Sequence, residues 1–252
     1  MPTKPDRFVV WEGLYASFGE AQQASAGAGF SSEAWIERSR RRLNDIVANA
    51  EERLLGTSAY LLPVVAAMIR EPGRPLRILD FGGGPGTGGR SIALAFGKDA
   101  DFSYHIVENA AVTSLGKDYF GDDPRIVWHQ SLPPAFPVDI IHVGSCVQYI
   151  DDVDGLLADL SAFNPGCVLF SDVYVGDIAS YWTLQNLWGS RVPFRFMKEQ
   201  EFVEAVERHG FQLRLRVPFI ASTLGKTDPL PMDNFPADRR VARAKHFLFM
   251  SA

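Results

Sequence analysis

Short apolar runs alternate with helical spacing along the middle of the chain. Five of these runs predict strands, over Arg77–Phe81, Ser103–Val107, Arg125–His129, Val138–Val143 and Cys167–Asp172. After the fourth run, Leu156, Leu157 and Leu160 share one helical face, and Asp151 or Asp152 precedes them as a candidate N-cap. Such alternation is typical of βαβ units around a parallel sheet.

The C-terminal part has a different pattern. Apolar and polar residues alternate strictly from Phe211 to Phe219, which predicts a half-exposed strand after a helix that ends at Gly210. A last short strand is predicted over His246–Met250. Two edge strands beside five parallel ones predict an α/β fold with a seven-stranded mixed sheet and helices on both faces.

The first 75 residues predict an N-terminal extension. The aromatic and glycine-rich segment Arg7–Phe30 has no regular period and predicts a wrapped loop. A helix is expected from Ser32, with its apolar stripe reaching Leu54, and a second helix over Thr57–Arg70. We therefore expect residues 1–75 to form a loop and helical extension on the lid or substrate side, and residues 76–252 to form the α/β domain.

Composition narrows the class of protein. Hydrophobic residues make up 46% of the 252 residues and the net charge is -5, which disfavours a generally electropositive nucleic-acid binder. Four arginines, Arg38, Arg40, Arg41 and Arg42, lie in a helix-like stretch and are expected on a solvated face. No apolar run approaches the length of a membrane span, so we expect no membrane partner and a cytoplasmic location.

Cysteine and histidine usage gives little sign of metal chemistry. Cys146 and Cys167 lie in apolar runs and are expected as buried thiols. His142 lies inside a predicted strand and is expected as a core histidine. Because no cluster has the spacing of metal ligands, the sequence predicts no catalytic metal.

The segment Asp80-Phe81-Gly82-Gly83-Gly84-Pro85-Gly86 joins the first predicted strand to a helix. Glycines at such a turn let the backbone approach a ligand, and the helix N-terminus offers free N–H groups. Residues 84–89 also satisfy the dinucleotide pattern G-x-G-x-x-G. The turn therefore predicts a nucleotide-like ligand but does not by itself distinguish a dinucleotide from another nucleotide-like cofactor.

Asp80 followed by glycines at 82, 84 and 86 resembles the D-x-G-x-G-x-G signature of class I S-adenosylmethionine-dependent methyltransferases. The resemblance covers Leu76–Met250 and implies their Rossmann-like fold, S-adenosylmethionine as cofactor and S-adenosylhomocysteine as product. It implies that Asp80 faces the methionine part, since a carboxylate suits a cationic amino group and would be repelled by a pyrophosphate. Glu108, at the end of the second strand, can accept the ribose hydroxyls.

The same resemblance implies further cofactor contacts. Gln130 and Ser131 follow the third strand, near the expected adenine, where the family commonly has an acidic or amide residue. Gly144 and Ser145 follow the fourth strand, beside the expected sulfonium and acceptor. The implied cofactor-binding residues are Asp80, Phe81, Gly82, Gly83, Gly84, Gly86, Glu108, Asn109, Gln130, Ser131, Gly144 and Ser145.

A narrower resemblance concerns the N-terminus. The run Trp11-Glu12-Gly13-Leu14-Tyr15-Ala16-Ser17-Phe18-Gly19-Glu20-Ala21, with Gly29-Phe30 and Trp35, is similar to a small bacterial group of predicted methyltransferases associated with surface-polysaccharide genes. That similarity implies a sugar or glycan acceptor. An acceptor that is a small molecule other than a sugar is an alternative. An oligomeric assembly is also possible from the sequence.

Methyl transfer from a sulfonium is an in-line displacement, and a hydroxyl acceptor also needs a general base. Tyr149, Asp172 and Tyr174 follow the fourth and fifth strands, where open α/β sheets bind ligands, and are the candidate catalytic residues. Each of them can equally serve in packing or capping. The aromatic stretch after Asp172 predicts either a pocket wall or lid or, more simply, an aromatic-rich helix that packs on the sheet. The loop 221–239 is a candidate segment to cover the acceptor site.

Two other functions compete with the leading hypothesis of an O-methyltransferase. An NAD-dependent oxidoreductase can be built on the same glycine turn and would also use Glu108. A catalytically idle protein that binds a cofactor is the third hypothesis, since no residue in the sequence is a decisive base.

Overall fold

Two β-sheets organise the part of the chain that the computed structural model describes, residues 8–48, 61–97, 99–220 and 229–252. The strands are β1 Trp11–Tyr15, β2 Leu76–Phe81, β3 Phe102–Val107, β4 Ile126–His129, β5 Ile140–Gly144, β6 Cys167–Val173, β7 Val175–Gly176, β8 Tyr181–Leu187, β9 Ser190–Lys198, β10 Phe211–Pro218 and β11 Lys245–Ser251. The α-helices are α1 Phe18–Ala24, α2 Glu33–Ala48, α3 Leu62–Ile69, α4 Thr87–Phe96, α5 Ala110–Phe120, α6 Val153–Ser161 and α7 Glu199–Arg208.

The larger sheet has seven strands in the order β10-β11-β6-β5-β2-β3-β4. Strands β2 to β6 run parallel, and β11 is antiparallel to both β6 and β10. This arrangement confirms the predicted seven-stranded mixed sheet. The strand limits differ from the predicted ones by one or two residues, as with β5, which begins at Ile140 and not at Val138.

Helices cover both faces of this sheet because successive strand residues point to opposite sides. On one face, Leu79 and Phe170 pack with Leu157 of α6 and Phe202 of α7. On the other face, the neighbouring positions Ile78 and Leu169 pack with residues of α3, α4 and α5, which include Leu62, Ile92 and Leu115. The prediction of helices on both faces is confirmed. No helix in the described ranges has the length and apolar character needed to cross a membrane.

The predicted wrapped loop over Arg7–Phe30 is wrong, apart from Arg7, which lies outside the described residues. The segment contains β1, α1 and a short 3-10 turn over Gly29–Ser31. Strand β1 pairs with β8, about 170 positions along the chain, so its partner could not be read from local sequence. The helix expected from Ser32 is α2, and the Ser32 hydroxyl accepts from the Trp35 amide at 3.3 Å.

Two parts of the predicted N-terminal helices lie outside the described residues. Ala50 and Leu54, at the end of the expected apolar stripe, lie outside the described residues. So does the beginning of the second predicted helix, whose described part is α3.

The interpretation of the aromatic stretch after Asp172 as a helix is also wrong. The stretch forms β7, β8 and β9, which join β1 in a four-stranded sheet ordered β1-β8-β9-β7. Tyr181, Phe194 and Phe196 are buried with Trp11 in an aromatic core between this sheet and the segment 229–244. Pairing on both edges of β8 satisfies its backbone, and the aromatic side chains fill the core on one face.

Candidate active site

A cleft of about 1230 Å³ lies at the carboxyl ends of the parallel strands and is bordered by α2 and the β8–β9 hairpin. Most of the predicted site residues line it: Asp80, Phe81, Gly82, Gly83, Gly84, Glu108, Asn109, Gln130, Ser131, Gly144, Ser145, Tyr149, Asp172 and Tyr174. Gly86 is the exception. It precedes α4 with a φ of +89°, and a Cβ there would approach the Trp128 ring to 2.8 Å.

The glycine turn wraps over the carboxylate that precedes it. Gly82 and Gly84 have φ values of +67° and +57°, which favour glycine. A Cβ on Gly83 would come within 2.5 Å of the Asp80 Oδ2 atom, whereas a Cβ on Gly84 would meet nothing within 4 Å. The turn is therefore tight towards Asp80 and open at Gly84, on the side of the cleft.

Asp80 is buried beneath this turn, with protein partners at both carboxylate oxygens. The Tyr104 hydroxyl donates to Oδ2 at 2.5 Å, and His142 Nδ1 lies 2.8 Å from Oδ1. If His142 donates from Nδ1, its Nε2 can accept from the Ser171 hydroxyl at 3.1 Å. Asp80 thus anchors the turn to two strands, and its contact with a methionine amino group stays a prediction.

Tyr104 is a member of this network that the sequence analysis missed, and His142 has a larger part than that of a core residue. Burial, followed by the charge of Asp80, raises the pKa of Tyr104 well above its ordinary value. The available signal for His142 was a polar group inside the otherwise apolar strand β5, whereas Tyr104 shares β3 with Ser103 and His105 and had no such signal. Only the pairing of β2 with β3 and β5 brings the three side chains together.

Glu108 connects the end of β3 to the glycine turn. Its Oε2 accepts from the Gly84 amide at 3.3 Å, and its Oε1 accepts from the Asn109 amide at 2.7 Å. Burial raises the pKa of Glu108, although these amides oppose the shift. Asn109 caps α5 by accepting from the Val112 amide at 3.1 Å. Gln130 and Ser131 lie exposed on the rim of the cleft.

Ser145 and Asp172 meet across the ends of β5 and β6. The Ser145 hydroxyl donates to Asp172 Oδ2 at 2.6 Å, and the two residues have φ values of 54° and 59°. Asp172 Oδ1 is buried and accepts no hydrogen bond from the described residues. Burial raises the pKa of Asp172 to about 6, and the neighbouring Ser145 and Tyr174 hydroxyls oppose this shift. Positive φ values and an unsatisfied oxygen are both features that cluster at functional sites, so this pair is a candidate for such a site.

The two candidate tyrosines are held in the wall of the cleft. The Tyr149 hydroxyl donates to Gln185 Oε1 at 2.6 Å, and its ring contacts Phe30 and Phe194 edge-on. Tyr174 packs against Trp11 and Phe194. Burial raises the pKa of both hydroxyls above their ordinary value. Both residues border the cleft as neutral aromatic groups, and the Tyr174 hydroxyl lies beside the Asp172 carboxylate.

The outer wall of the cleft comes from the N-terminal extension, predicted on the lid or substrate side, and from the aromatic stretch after Asp172, for which a pocket wall was one of the two predictions. Trp35 and Arg42 come from α2, and Gln185 and Trp188 come from the β8–β9 hairpin. These segments lie about 150 residues apart, so no local pattern connects them. The described part of the loop 221–239 contributes Met232 and Phe235 to the aromatic core, and residues 221–228 lie outside the described residues.

The cysteines do not form a reactive centre in the structure. Cys167 is fully buried, which confirms its prediction, and Cys146 is half-buried with its Sγ donating to the Phe81 carbonyl at 3.3 Å. Burial raises the pKa of Cys167 to about 12, and that of Cys146 further. Within the described ranges, no group of three or more His, Cys, Asp or Glu side chains is arranged to hold a metal ion.

Comparison with known proteins relates this architecture to solved structures. No family model matches the chain, and no curated protein matches it. Solved methyltransferase structures match the chain over most of its length. The chain has the class I methyltransferase fold. At these levels of identity, below 25%, the similarity shows the fold alone.

Three of these structures show the range of sequence identity and coverage. The 1,6-didemethyltoxoflavin N1-methyltransferase of Burkholderia thailandensis, with bound 1,6-didemethyltoxoflavin and S-adenosylhomocysteine, is 13% identical with a TM-score of 0.54, over 96% of this chain and 94% of its own. An S-adenosylmethionine-dependent methyltransferase from Mesorhizobium loti is 18% identical, with a TM-score of 0.53 and coverages of 78% and 99%. A family 2 O-methyltransferase from Planctomyces limnophilus, in complex with apigenin, is 14% identical, with a TM-score of 0.51 and coverages of 84% and 62%.

Proposed function

We propose that this protein is an S-adenosylmethionine-dependent methyltransferase that acts on a hydroxyl group of a small molecule or sugar. The observation that carries the proposal is the glycine turn, which covers the buried Asp80 and leaves Gly84 facing open space beside Glu108. This turn lies at the carboxyl edge of a parallel sheet, where α/β folds bind nucleotide-like ligands. The solved structures with the same fold include enzymes crystallised with S-adenosylhomocysteine.

The described residues fit this cofactor. The volume of about 1230 Å³ exceeds the roughly 300–1,000 Å³ of a typical small-ligand pocket, so a cofactor and a second small molecule can be accommodated together. We infer that the Gly82–Gly84 backbone and Glu108 hold the methionine and ribose parts, with Gln130 and Ser131 beside the adenine. When bound, S-adenosylmethionine supplies an electrophilic methyl group on a sulfonium.

We propose that Asp172 is the general base that removes the proton from the hydroxyl group of the methyl acceptor. Its Oδ1 lacks a hydrogen bond from the described residues, so an acceptor hydroxyl that reaches it would supply one. With a pKa of about 6, the carboxylate is mostly ionised at neutral pH and near the range favoured for a general base. Ser145 fixes the other oxygen. Tyr149 and Tyr174, as neutral wall residues, would orient the acceptor and exclude water.

The N-terminal extension and the β8–β9 hairpin would form the acceptor side. Phe30 and Trp35 from the extension, and Trp188 from the hairpin, offer the aromatic surfaces on which sugars and flat molecules pack. The similarity of the N-terminal run to the group associated with surface-polysaccharide genes favours a sugar. In this proposal residues 1–75 serve mainly the acceptor, and residues 76–252 serve mainly the cofactor.

Titration calorimetry with S-adenosylhomocysteine tests the proposal. We expect binding by the native protein and at least about tenfold weaker binding by Glu108→Gln, since a weakened hydrogen bond to a charged group costs roughly 1.5 kcal/mol or more. The matched control is Glu207→Gln, an exposed glutamate on α7, which should bind as the native protein does.

The competing functions give different results in the same experiment. Binding of NADH without S-adenosylhomocysteine would establish the oxidoreductase, whose sequence support is the pattern over residues 84–89. Binding of S-adenosylhomocysteine without methyl transfer to any acceptor in a screen would favour the idle binding protein. Failure to bind either cofactor would contradict the proposed function.

A further inference from the structure

Two of the four clustered arginines of α2 differ from the other two in their partners. Arg40 pairs with Asp118 at 3.6 Å, and Arg41 pairs with Glu37 at 3.1 Å. Arg38 and Arg42 make no ion pair with any carboxylate in the described part of the chain. The charge cluster therefore separates into two paired arginines and two that lack a described counter-charge.

Arg38 and Arg42 lie on the helix face that borders the cleft. Trp35, Arg38 and Arg42 are spaced by three and four residues, which places them on one face of α2. Trp35 and Arg42 line the cleft. The Arg38 guanidinium lies 4.5 Å from the centre of the Trp188 ring, which lines the cleft from the opposite hairpin. Arg42 and the two indole rings thus line this side of the cleft, with Arg38 against one of the rings.

Arg38 and Arg42 are the cations at this end of a cleft whose lining also includes the carboxylates of Asp80, Glu108, Asp152, Asp159 and Asp172, none of which pairs with them. Among the described residues that line the cleft, Arg42 is the single arginine or lysine. Like charges four residues apart on a helix repel each other, so the Arg38–Arg42 pair slightly destabilises α2. A bound anion would relieve this repulsion.

We propose that Arg38 and Arg42, with Trp35 and Trp188, form a subsite for a carboxylate or phosphate group on the methyl acceptor. A guanidinium presents a planar fork of donors that matches both anions, and Trp188 orients the fork of Arg38 by stacking. The inference rests on the proposed function, because it assigns the acceptor to this end of the cleft. It defines the substrate class as acidic hydroxyl compounds, such as uronic acids or sugar phosphates.

Binding of matched charged and neutral probes tests this subsite. The pairs are glucuronate with glucose, glucose 6-phosphate with glucose, and 4-hydroxybenzoate with 4-hydroxybenzamide. Each is titrated into the protein with and without saturating S-adenosylhomocysteine, and followed by NMR. We expect at least one charged probe to bind about tenfold more tightly than its neutral partner, with the preference reduced in about 1 M salt, where the screening length is about 3 Å. The first two pairs distinguish a carboxylate from a phosphate.

Single arginine variants locate the effect. Arg42→Gln and Arg38→Gln should each reduce the charged-to-neutral preference to below threefold and leave the affinity for S-adenosylhomocysteine unchanged. Arg41→Gln is the matched control, since it removes the same charge from an exposed, paired position on the same helix. It should keep the native preference.

Three outcomes would overturn the subsite: equal binding of charged and neutral probes, no binding of any charged probe, or an equal loss in Arg41→Gln. Failure of the proposed function has a different signature. In that case S-adenosylhomocysteine would not bind, while a charge preference lost in Arg42→Gln would still establish an anion site.

Discussion

At the scale of single residues, the pair of Ser145 and Asp172 carries most of the chemical interest. Both residues adopt left-handed backbone conformations, and they share a hydrogen bond of 2.6 Å at the edge of the cleft. A buried carboxylate with an unsatisfied oxygen destabilises the folded protein, because its charged form is poorly solvated. Such a cost is expected where the carboxylate serves a reaction.

Replacing Asp172 with asparagine should separate activity from stability. Methyl transfer should fall by about 10²–10⁴-fold, the usual contribution of a general base, while binding of S-adenosylhomocysteine persists. In the native enzyme kcat/KM should rise with pH up to a pKa of about 6, and the variant should lack this limb. Asp177→Asn, an exposed position five residues further on, should retain both the rate and the pH profile.

The same substitution should stabilise the fold at neutral pH. Because the folded-state pKa of Asp172 is raised to about 6, native stability should fall as pH rises from about 4 to 6. The penalty at pH 7 is about 2–3 kcal/mol, at about 1.4 kcal/mol per pH unit of pKa shift. Urea unfolding of both proteins at pH 4 and pH 7 measures it. Equal stability of the two proteins at pH 7 would contradict the assignment of Asp172 as a costly buried carboxylate.

At the scale of elements, α4 approaches β3 through two glycines. A Cβ on Gly88 would lie 2.1 Å from the Tyr104 hydroxyl oxygen, and one on Gly89 would lie 3.1 Å from the Tyr104 ring. The Tyr104 hydroxyl also holds Asp80, so the close contact couples the start of α4 to the glycine turn. Helix, strand and turn form one packed unit at the proposed cofactor site.

Gly88→Ala should therefore disturb both folding and cofactor binding. The added methyl group has no space, and overpacking of this kind costs about 1–3 kcal/mol of unfolding free energy. Displacement of Tyr104 should also weaken the binding of S-adenosylhomocysteine. The control is Gly19→Ala in α1, where the new Cβ would lie 3.9 Å from the Ser17 hydroxyl, an ordinary contact distance, so stability should be unchanged or slightly higher. Equal effects of the two substitutions in urea unfolding would contradict this account.

At the scale of the whole molecule, the four-stranded sheet links the N-terminus to the outer wall of the cleft. Strand β1 completes the sheet by pairing with β8, and Trp11 fills the aromatic core between Tyr174, Phe194 and Phe196. That core holds the hairpin that carries Gln185 and Trp188. The proposed acceptor side thus depends on contacts between distant parts of the chain.

Trp11→Ala should unfold or loosen this sheet before the central one. Trp11 is only 1% exposed, and truncation of a buried tryptophan costs about 3–5 kcal/mol. At low temperature the variant should still bind S-adenosylhomocysteine but lose affinity for an acceptor. Trp188→Ala, at a position that is 43% exposed, should cost about 1 kcal/mol or less. Loss of cofactor binding by a folded Trp11→Ala protein would show that the cofactor side of the cleft also depends on the four-stranded sheet.

The elements of the central sheet were predictable because their signals are local. Apolar runs of strand length, a glycine turn after Asp80 and a capping serine before α2 each occupy a few consecutive residues. The errors fell on the N-terminal segment, whose strand β1 pairs with β8 about 170 residues away, and on the aromatic stretch, which forms the local β8–β9 hairpin and not the predicted helix. A strand at the edge of a sheet has no backbone partner within its own segment, so its sequence alone does not distinguish it from a loop.

The residues of the candidate site also divide into those predictable from local sequence and those that depend on tertiary packing. Asp80, Glu108 and the glycines belong to one motif with a known spacing, and the sequence by itself determined the sheet, the turn and the nucleotide-like character of the ligand. Only the tertiary structure decided that Tyr104 and His142 hold Asp80, that Asp172 has an unsatisfied oxygen, and that Arg42 faces the cleft. The physical reason is range: hydrogen bonding along a turn is encoded by neighbours, whereas burial and charge balance arise when distant strands and helices pack together.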